Sequence, residues 1–195
     1  TGTDYPILVK INGEDYVKKG VTIDETKRVC STLDELGINA IEVSGGIGEV
    51  GLMTIRGDIP RDLLMRNRSF LERVILRLKE KSVRNSVRFK EAFFLPEAAA
   101  IKRTVKCPVI ALGGIRARST MEGGLENGHA DFISMCRPFI RQPNLVNQME
   151  KGDQNPILCT NCNRCTFEVL VHQNPLRCYN SDVPKQSRRT ICSPK

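Results

Sequence analysis

The sequence has no apolar run approaching the ~20 residues a bilayer-spanning helix needs, and no basic-then-apolar leader at its start. It therefore predicts neither an embedded nor a signal-led protein. Aromatic residues are scarce, at 5% with no Trp. The most basic stretch lacks interleaved rings on which single-stranded bases could stack. There are two histidines, His129 and His172. Neither has a carboxylate or cysteine at a triad-like position, so no Ser-His-Asp site is readable, nor is any pair of catalytic carboxylates. His129 follows a helix-capping glycine, and His172 falls among the last cysteines. A regular disulfide pattern is also missing. Of eight cysteines, Cys30, Cys107 and Cys136 stand singly inside strand–helix units. Cys159, Cys162, Cys165 and Cys178 crowd together, and Cys192 lies outside their spacing as a free tail thiol. Core thiols plus a metal-type group predict a reducing, cytoplasmic setting.

With 195 residues and 40% hydrophobic content, the chain can bury a real core, and one domain is the expectation. It begins on Thr1 and opens almost at once on a strand, which suggests a fragment or a processed product. The net charge is +8. Much of the excess falls between Arg56 and Lys90, and Lys185, Arg188, Arg189 and Lys195 form a basic tail. Solvated faces are the ordinary explanation of such runs. An anionic partner is the sharper alternative, with nucleic acid the less favoured form of it.

Hydrophobic patterning repeats as strand, loop, helix. Tyr5 to Ile11 and Asn39 to Val43 are strand-like, each followed by a glycine-bearing loop. Ile23 to Leu36 has helical spacing, with Asp24 as N-cap and Gly37 ending it. Phe93 to Val105 is a helix with Pro96 in its first turn. Val109 to Leu112 then leads through Gly113-Gly114 and a helix from Thr120 to Asn127 into Phe132 to Met135. Arg137-Pro138 and Leu145 to Met149 open further helices. Near-continuous apolar strands predict a parallel sheet covered on both faces. The fold class is therefore α/β. Four βα units make half of a (β/α)8 TIM barrel, since a whole one takes roughly 200 residues or more. Half a barrel leaves two raw edges and an open interior. The missing barrel half, or a second copy, would have to cover them. Residues 1–152 form this half barrel, interrupted at 47–90 by a divergent basic segment whose Leu63 to Lys81 reads as one long helix. Residues 153–195 form a cysteine-rich tail.

Three features carry chemistry. Lys10 is the sole charge in its strand. It meets either an anion at the barrel mouth or a neighbour such as Glu42. Gly113 and Gly114 after one strand and Arg137 after the next could cradle a phosphate, or the glycines could simply turn the chain. Cys159, Cys162, Cys165 and Cys178 give C-x2-C-x2-C-x12-C. Four thiolates suit zinc or a [4Fe–4S] cluster, and three in close succession are commoner for the cluster.

Taken together, YPILVKINGEDY, GVTIDET, AIEVSGG, FFLPEAAAIKRTVKCPVIALGGI and ADFISMCRPFIRQPNLV resemble the C-terminal half of the old yellow enzyme, or NADH:flavin oxidoreductase, family. CTNCNRC with the later cysteine resembles its iron–sulfur branch. The resemblance leaves out Ile47 to Arg88 and the last residues. It implies an FMN-binding barrel using NAD(P)H as reductant, ene-reductase-like in chemistry. It places Lys10 beside the flavin's N1 and C2 carbonyl. Gly113, Gly114 and Arg137, with the backbone of Met135 and Cys136, fall on the FMN phosphate, and the four cysteines become [4Fe–4S] ligands. The family's proton donor and substrate-binding pair belong to the other half. No catalytic residue is therefore expected in this chain, and alone it should be inactive.

Overall fold

A computed structural model describes residues 5–47, 54–83 and 87–180. Arg84, Cys192 and the basic tail from Lys185 lie outside the described residues. Four parallel strands form one sheet in the order β1-β2-β3-β4, with β1 at Leu8–Asn12, β2 at Ala40–Ser44, β3 at Val109–Ala111 and β4 at Phe132–Ile133. The register sets Lys10 opposite Glu42, Glu42 opposite Ile110, and Ile110 opposite Phe132.

The expected strand–helix alternation is present, with shifted ends. Helix α1 spans Ile23–Glu35. Its cap is Thr22 rather than Asp24. The Thr22 hydroxyl accepts from the Glu25 amide, and the Glu25 carboxylate accepts from the Thr22 amide at 2.8 Å, a reciprocal box. Asp24 instead pairs with Lys27 on the first turn. The long helix expected over Leu63 to Lys81 is two helices, α2 at Arg61–Leu64 and α3 at Phe70–Val83. Asn67, at φ +58, takes a left-handed conformation that a continuous helix forbids. Helix α4 is Leu95–Lys102 with proline in its first turn, α5 is Arg118–Glu126, α6 Arg137–Arg141 and α7 Leu145–Glu150. Helix α8, Arg164–Leu170, rises from the cysteine-rich segment, where none was expected.

Side chains alternate across the sheet. Ile41, Val43, Val109 and Ala111 point to one face and are fully buried against Cys30 of α1 and Ala98 and Ile101 of α4. Burial pushes the Cys30 thiol up to about 11, and it packs as an inert apolar side chain. The opposite face carries the row Lys10, Glu42, Ile110, Phe132. There Leu8 and Phe132 are 60% and 57% exposed. Edge strands β1 and β4 have no further strand partner among the described residues. This is the geometry expected of a partial barrel: one face packed by helices, the other open. Helix α3 is similarly uncovered, with Phe70, Leu71 and Leu78 exposed. Its apolar stripe does not sit on this sheet as an ordinary barrel helix would. Among the described residues no helix is long and apolar enough to cross a membrane.

Candidate functional site

The loops after β3 and β4 start from adjacent paired strands, so both emerge at one end of the sheet. Gly113 and Gly114 have φ of +110 and +71. Besides this conformation, crowding demands glycine: a Cβ at either position would lie 2.6 Å from the ring of Phe94 or Phe93. The two carbonyls accept from the amides of Phe93 and Ala92. The amides of Gly113, Gly114, Ile115, Met135 and Cys136 donate to no partner among the described residues. Free amides from two neighbouring loops are the donor set a phosphate accepts. The glycines thus both turn the chain and leave donors open.

Around this end, Phe93 and Phe94 meet edge to face at 4.5 Å, and Tyr16 stacks on Phe94 at 6.0 Å. The Tyr16 hydroxyl donates to Glu97 at 2.5 Å. Burial, and then that carboxylate, raise the Tyr16 pKa well above its ordinary value. Lys10 takes the neighbour expected as an alternative: its Nζ lies 2.5 Å from Glu42 Oε1, with the lysine side chain 56% exposed. At such exposure the pair is worth about 0–1 kcal/mol, so the lysine can exchange partners at little cost.

Cys159, Cys162, Cys165 and Cys178 line one small cavity together with Arg137 and Asn161. Four thiols separated by up to 19 positions in sequence are thereby gathered. No group of three or more His, Cys, Asp or Glu side chains among the described residues is drawn tightly enough to hold a metal ion as it stands. Burial raises the thiols of Cys159 and Cys165, and Arg137 works against this at Cys159. The chain reverses between the cysteines because Asn161 and Asn163 both sit at φ +56, a region asparagine tolerates better than most residues.

Arg137 does not reach out into open space. Its Nη1 donates to the Arg56 carbonyl at 3.0 Å and to Asn163 Oδ1. Desolvation lowers its pKa, against the pull of Cys159, Cys165, Cys136 and Cys162 around it. Cys136 itself is exposed. His172 bonds the Leu63 carbonyl at 3.1 Å through Nε2, and the His129 amide donates to Gly124 in the turn after α5.

The segment before α2 holds the cysteine loop from the other side. The Asp58 amide donates to Asn161 O at 3.0 Å, and Asn163 Nδ2 donates to Asp58 O at 3.1 Å. Arg164 forks onto Asp62 at 2.8 and 2.6 Å, and Arg66 reaches Glu168 at 3.1 Å. From the barrel side, Gln142 accepts from the Leu158 amide, and Arg116 donates to Cys159 O. Sequence reasoning missed Asn161, Asn163, Gly57 and Arg116. The available signal was asparagine between ligand-type cysteines; Gly57 and Arg116 had no local signature.

Residues 59–155 match the NADH:flavin oxidoreductase / NADH oxidase family. That match takes in about half of the chain, and the likeness to this family carried by the sequence motifs agrees with it. The match takes in most of the basic segment that the motif resemblance left out. The chain is 30% identical over 166 residues to a 4,4'-dithiodibutanoate disulfide reductase of Rhodococcus erythropolis, covering 84% of this chain and 41% of that protein. It is 31% identical to an NADH oxidase of Thermoanaerobacter brockii (91% of this chain, 23% of that one) and 28% identical to a metal reductase of Desulforamulus reducens (97% and 24%). It thus spans less than half the length of these relatives. Among solved structures, a 2-naphthoyl-CoA reductase superposes with a TM-score of 0.67 at 19% identity, covering 91% of this chain and 23% of that one, a likeness of fold.

Proposed function

We propose that this chain is the phosphate-holding and cluster-holding part of an FMN-dependent NAD(P)H oxidoreductase with ene-reductase-like chemistry. The observation that carries this is the cavity ringed by Cys159, Cys162, Cys165 and Cys178, in a chain that also presents free amides from the loops after β3 and β4. The amides of Gly113, Gly114, Met135 and Cys136 fit an FMN phosphate. Lys10, once released from Glu42, supplies a cation for the flavin's pyrimidine edge. The four thiols are the donor set of a [4Fe–4S] cluster, and three of them in close succession favour it over a single zinc ion, which stands as the alternative. When bound, the flavin would accept hydride from NAD(P)H and the cluster would relay single electrons. Residues 1–152 act as the half barrel and 153–195 as the cluster segment. The remaining barrel half, or a second copy, covers the open sheet face; the substrate-binding and proton-donating groups, which this chain does not contain, come with the remaining half.

The visible spectrum of the anaerobically purified protein tests this. Flavin bands with a broad absorption bleached by dithionite are expected. A colourless protein holding stoichiometric zinc refutes the reading. On this reading residues 1–195 alone give no FMN-dependent turnover of an activated alkene with NAD(P)H, and measurable turnover refutes that part.

A further inference from the structure

Helix α3 is amphipathic in the inverted sense. Residues four apart along it form rows on one side. The row of Leu76 and Glu80 faces the protein. Leu76 is half-buried, and Glu80, only 6% exposed, accepts from Arg61 Nε on both oxygens at 2.8 Å. The rows Phe70-Val74-Leu78 and Leu71-Ile75 lie on the opposite side and are between 37 and 83% exposed. Beside them runs a third exposed row, Arg73-Arg77-Lys81. Among the described residues no ion pair takes any of these three cations. The helix's other carboxylate, Glu72, is engaged by the Ser69 amide and by Arg68 at its own start. The outer surface of α3 is therefore an apolar band with a cationic border and no unpaired acid.

We infer that α3 is an interfacial helix that lays this face on an anionic lipid surface. The charges decide against a second copy as the occupant, because it would set the row Arg73, Arg77, Lys81 against itself with no unpaired acid to answer it. A helix is also convex, so a protein partner would have to supply a groove, whereas a fluid surface closes around it. At 14 residues the helix is about 21 Å long, too short for the ~30 Å hydrocarbon core of a bilayer. It therefore lies in the plane of the surface. Phe70, Leu71, Val74, Ile75 and Leu78 sink among the acyl chains, and the three cations stay level with the lipid phosphates. The net charge of +8 draws the chain to such a surface before the helix docks. None of this depends on the flavin or cysteine sites.

The test is density-gradient flotation of the full protein with vesicles of phosphatidylcholine alone and of phosphatidylcholine mixed with phosphatidylglycerol. Flotation separates bound protein from aggregates, which sink. The parent protein should float with the mixed vesicles, and less so at high salt. R73Q/R77Q should weaken this about 25-fold, at roughly fivefold per cation. L71E/L78E should abolish it. L71A/L78A, which keeps good helix formers at exposed positions, should weaken it by more than about tenfold and guards against a variant that merely misfolds. L8S/F132S, on the open sheet face, controls for a chain that is sticky elsewhere and should bind like the parent. A parent protein that stays in solution beside the mixed vesicles overturns the inference and leaves α3 to a protein partner. Equal binding to both vesicle types overturns the anionic surface. Binding that survives L71A/L78A, or that is lost in L8S/F132S instead, overturns the assignment to α3.

Discussion

Replacing Gly57 by Ala should loosen the cysteine loop without touching a cysteine. Gly57 has φ +152, and a Cβ there would lie 2.1 Å from Asn161 O and 2.8 Å from Asn163 Nδ2. Asn161 O accepts from the Asp58 amide and cannot retreat without breaking that bond. Forcing a side chain into this conformation costs about 1–3 kcal/mol. Separating the backbones also loses the Asp58–Asn161 and Asn163–Asp58 bonds, each worth ~1 kcal/mol net. A local penalty of about 3 kcal/mol multiplies the open population by more than 100 at ~1.4 kcal/mol per tenfold. Amide hydrogen exchange reads this directly. Exchange at Asp58 should quicken on the order of hundredfold, while Ile41 and Val43, in the buried strand β2, keep their protection. Exchange at Asp58 within twofold of the parent would refute the claim that this contact holds the loop.

Three further changes probe the surrounding fold. Phe94→Ala removes a ring only 2% exposed that fills the space left by Gly45 and Gly113. It should cost about 3–5 kcal/mol in urea unfolding, and a loss under about 1 kcal/mol would show that the glycine turns do not depend on it. The Asp34 carboxylate accepts from the Lys106 and Cys107 amides at 2.8 Å each, which holds its pKa below the ordinary carboxylate value. Its stabilisation is therefore present above that ordinary value and lost as pH falls through the lowered one. Asp34→Asn should be less stable than the parent at pH 7, with the gap closing in acid; a gap that persists or widens there would contradict the sign. Paired Leu8→Ser and Phe132→Ser on the open face should change stability within about 0.5 kcal/mol yet reduce self-association in sedimentation velocity. Unchanged association would mean that face is not the sticky one.

How much was legible beforehand differs from element to element. The strands around Val43 and Val109 were readable because their helix-facing positions are apolar and buried, and their helices because caps and periodicity are local. Thr22 displaced Asp24 as cap since only a residue before the first turn can complete a box with Glu25. The split at Asn67 was missed because hydrophobic spacing runs on across it and a single left-handed residue leaves no mark in periodicity. The cysteines were legible by spacing; the bracket around them was not, since Asp58, Asp62 and Arg66 lie about a hundred positions away and act through backbone atoms and charge.

The sequence alone determined the class of fold, the open-sided sheet and the four thiols as a set. Those follow from short-range periodicity and from the rarity of such cysteine spacing. Tertiary structure alone decided which partners Lys10 and Arg137 take. A long cationic side chain can reach several partners from one backbone position, and its choice depends on which chain segments the fold brings within hydrogen-bond distance. For Lys10 that is Glu42, placed opposite by strand register. For Arg137 it is Asn163 and the Arg56 carbonyl, placed there by a glycine that lets two backbones touch.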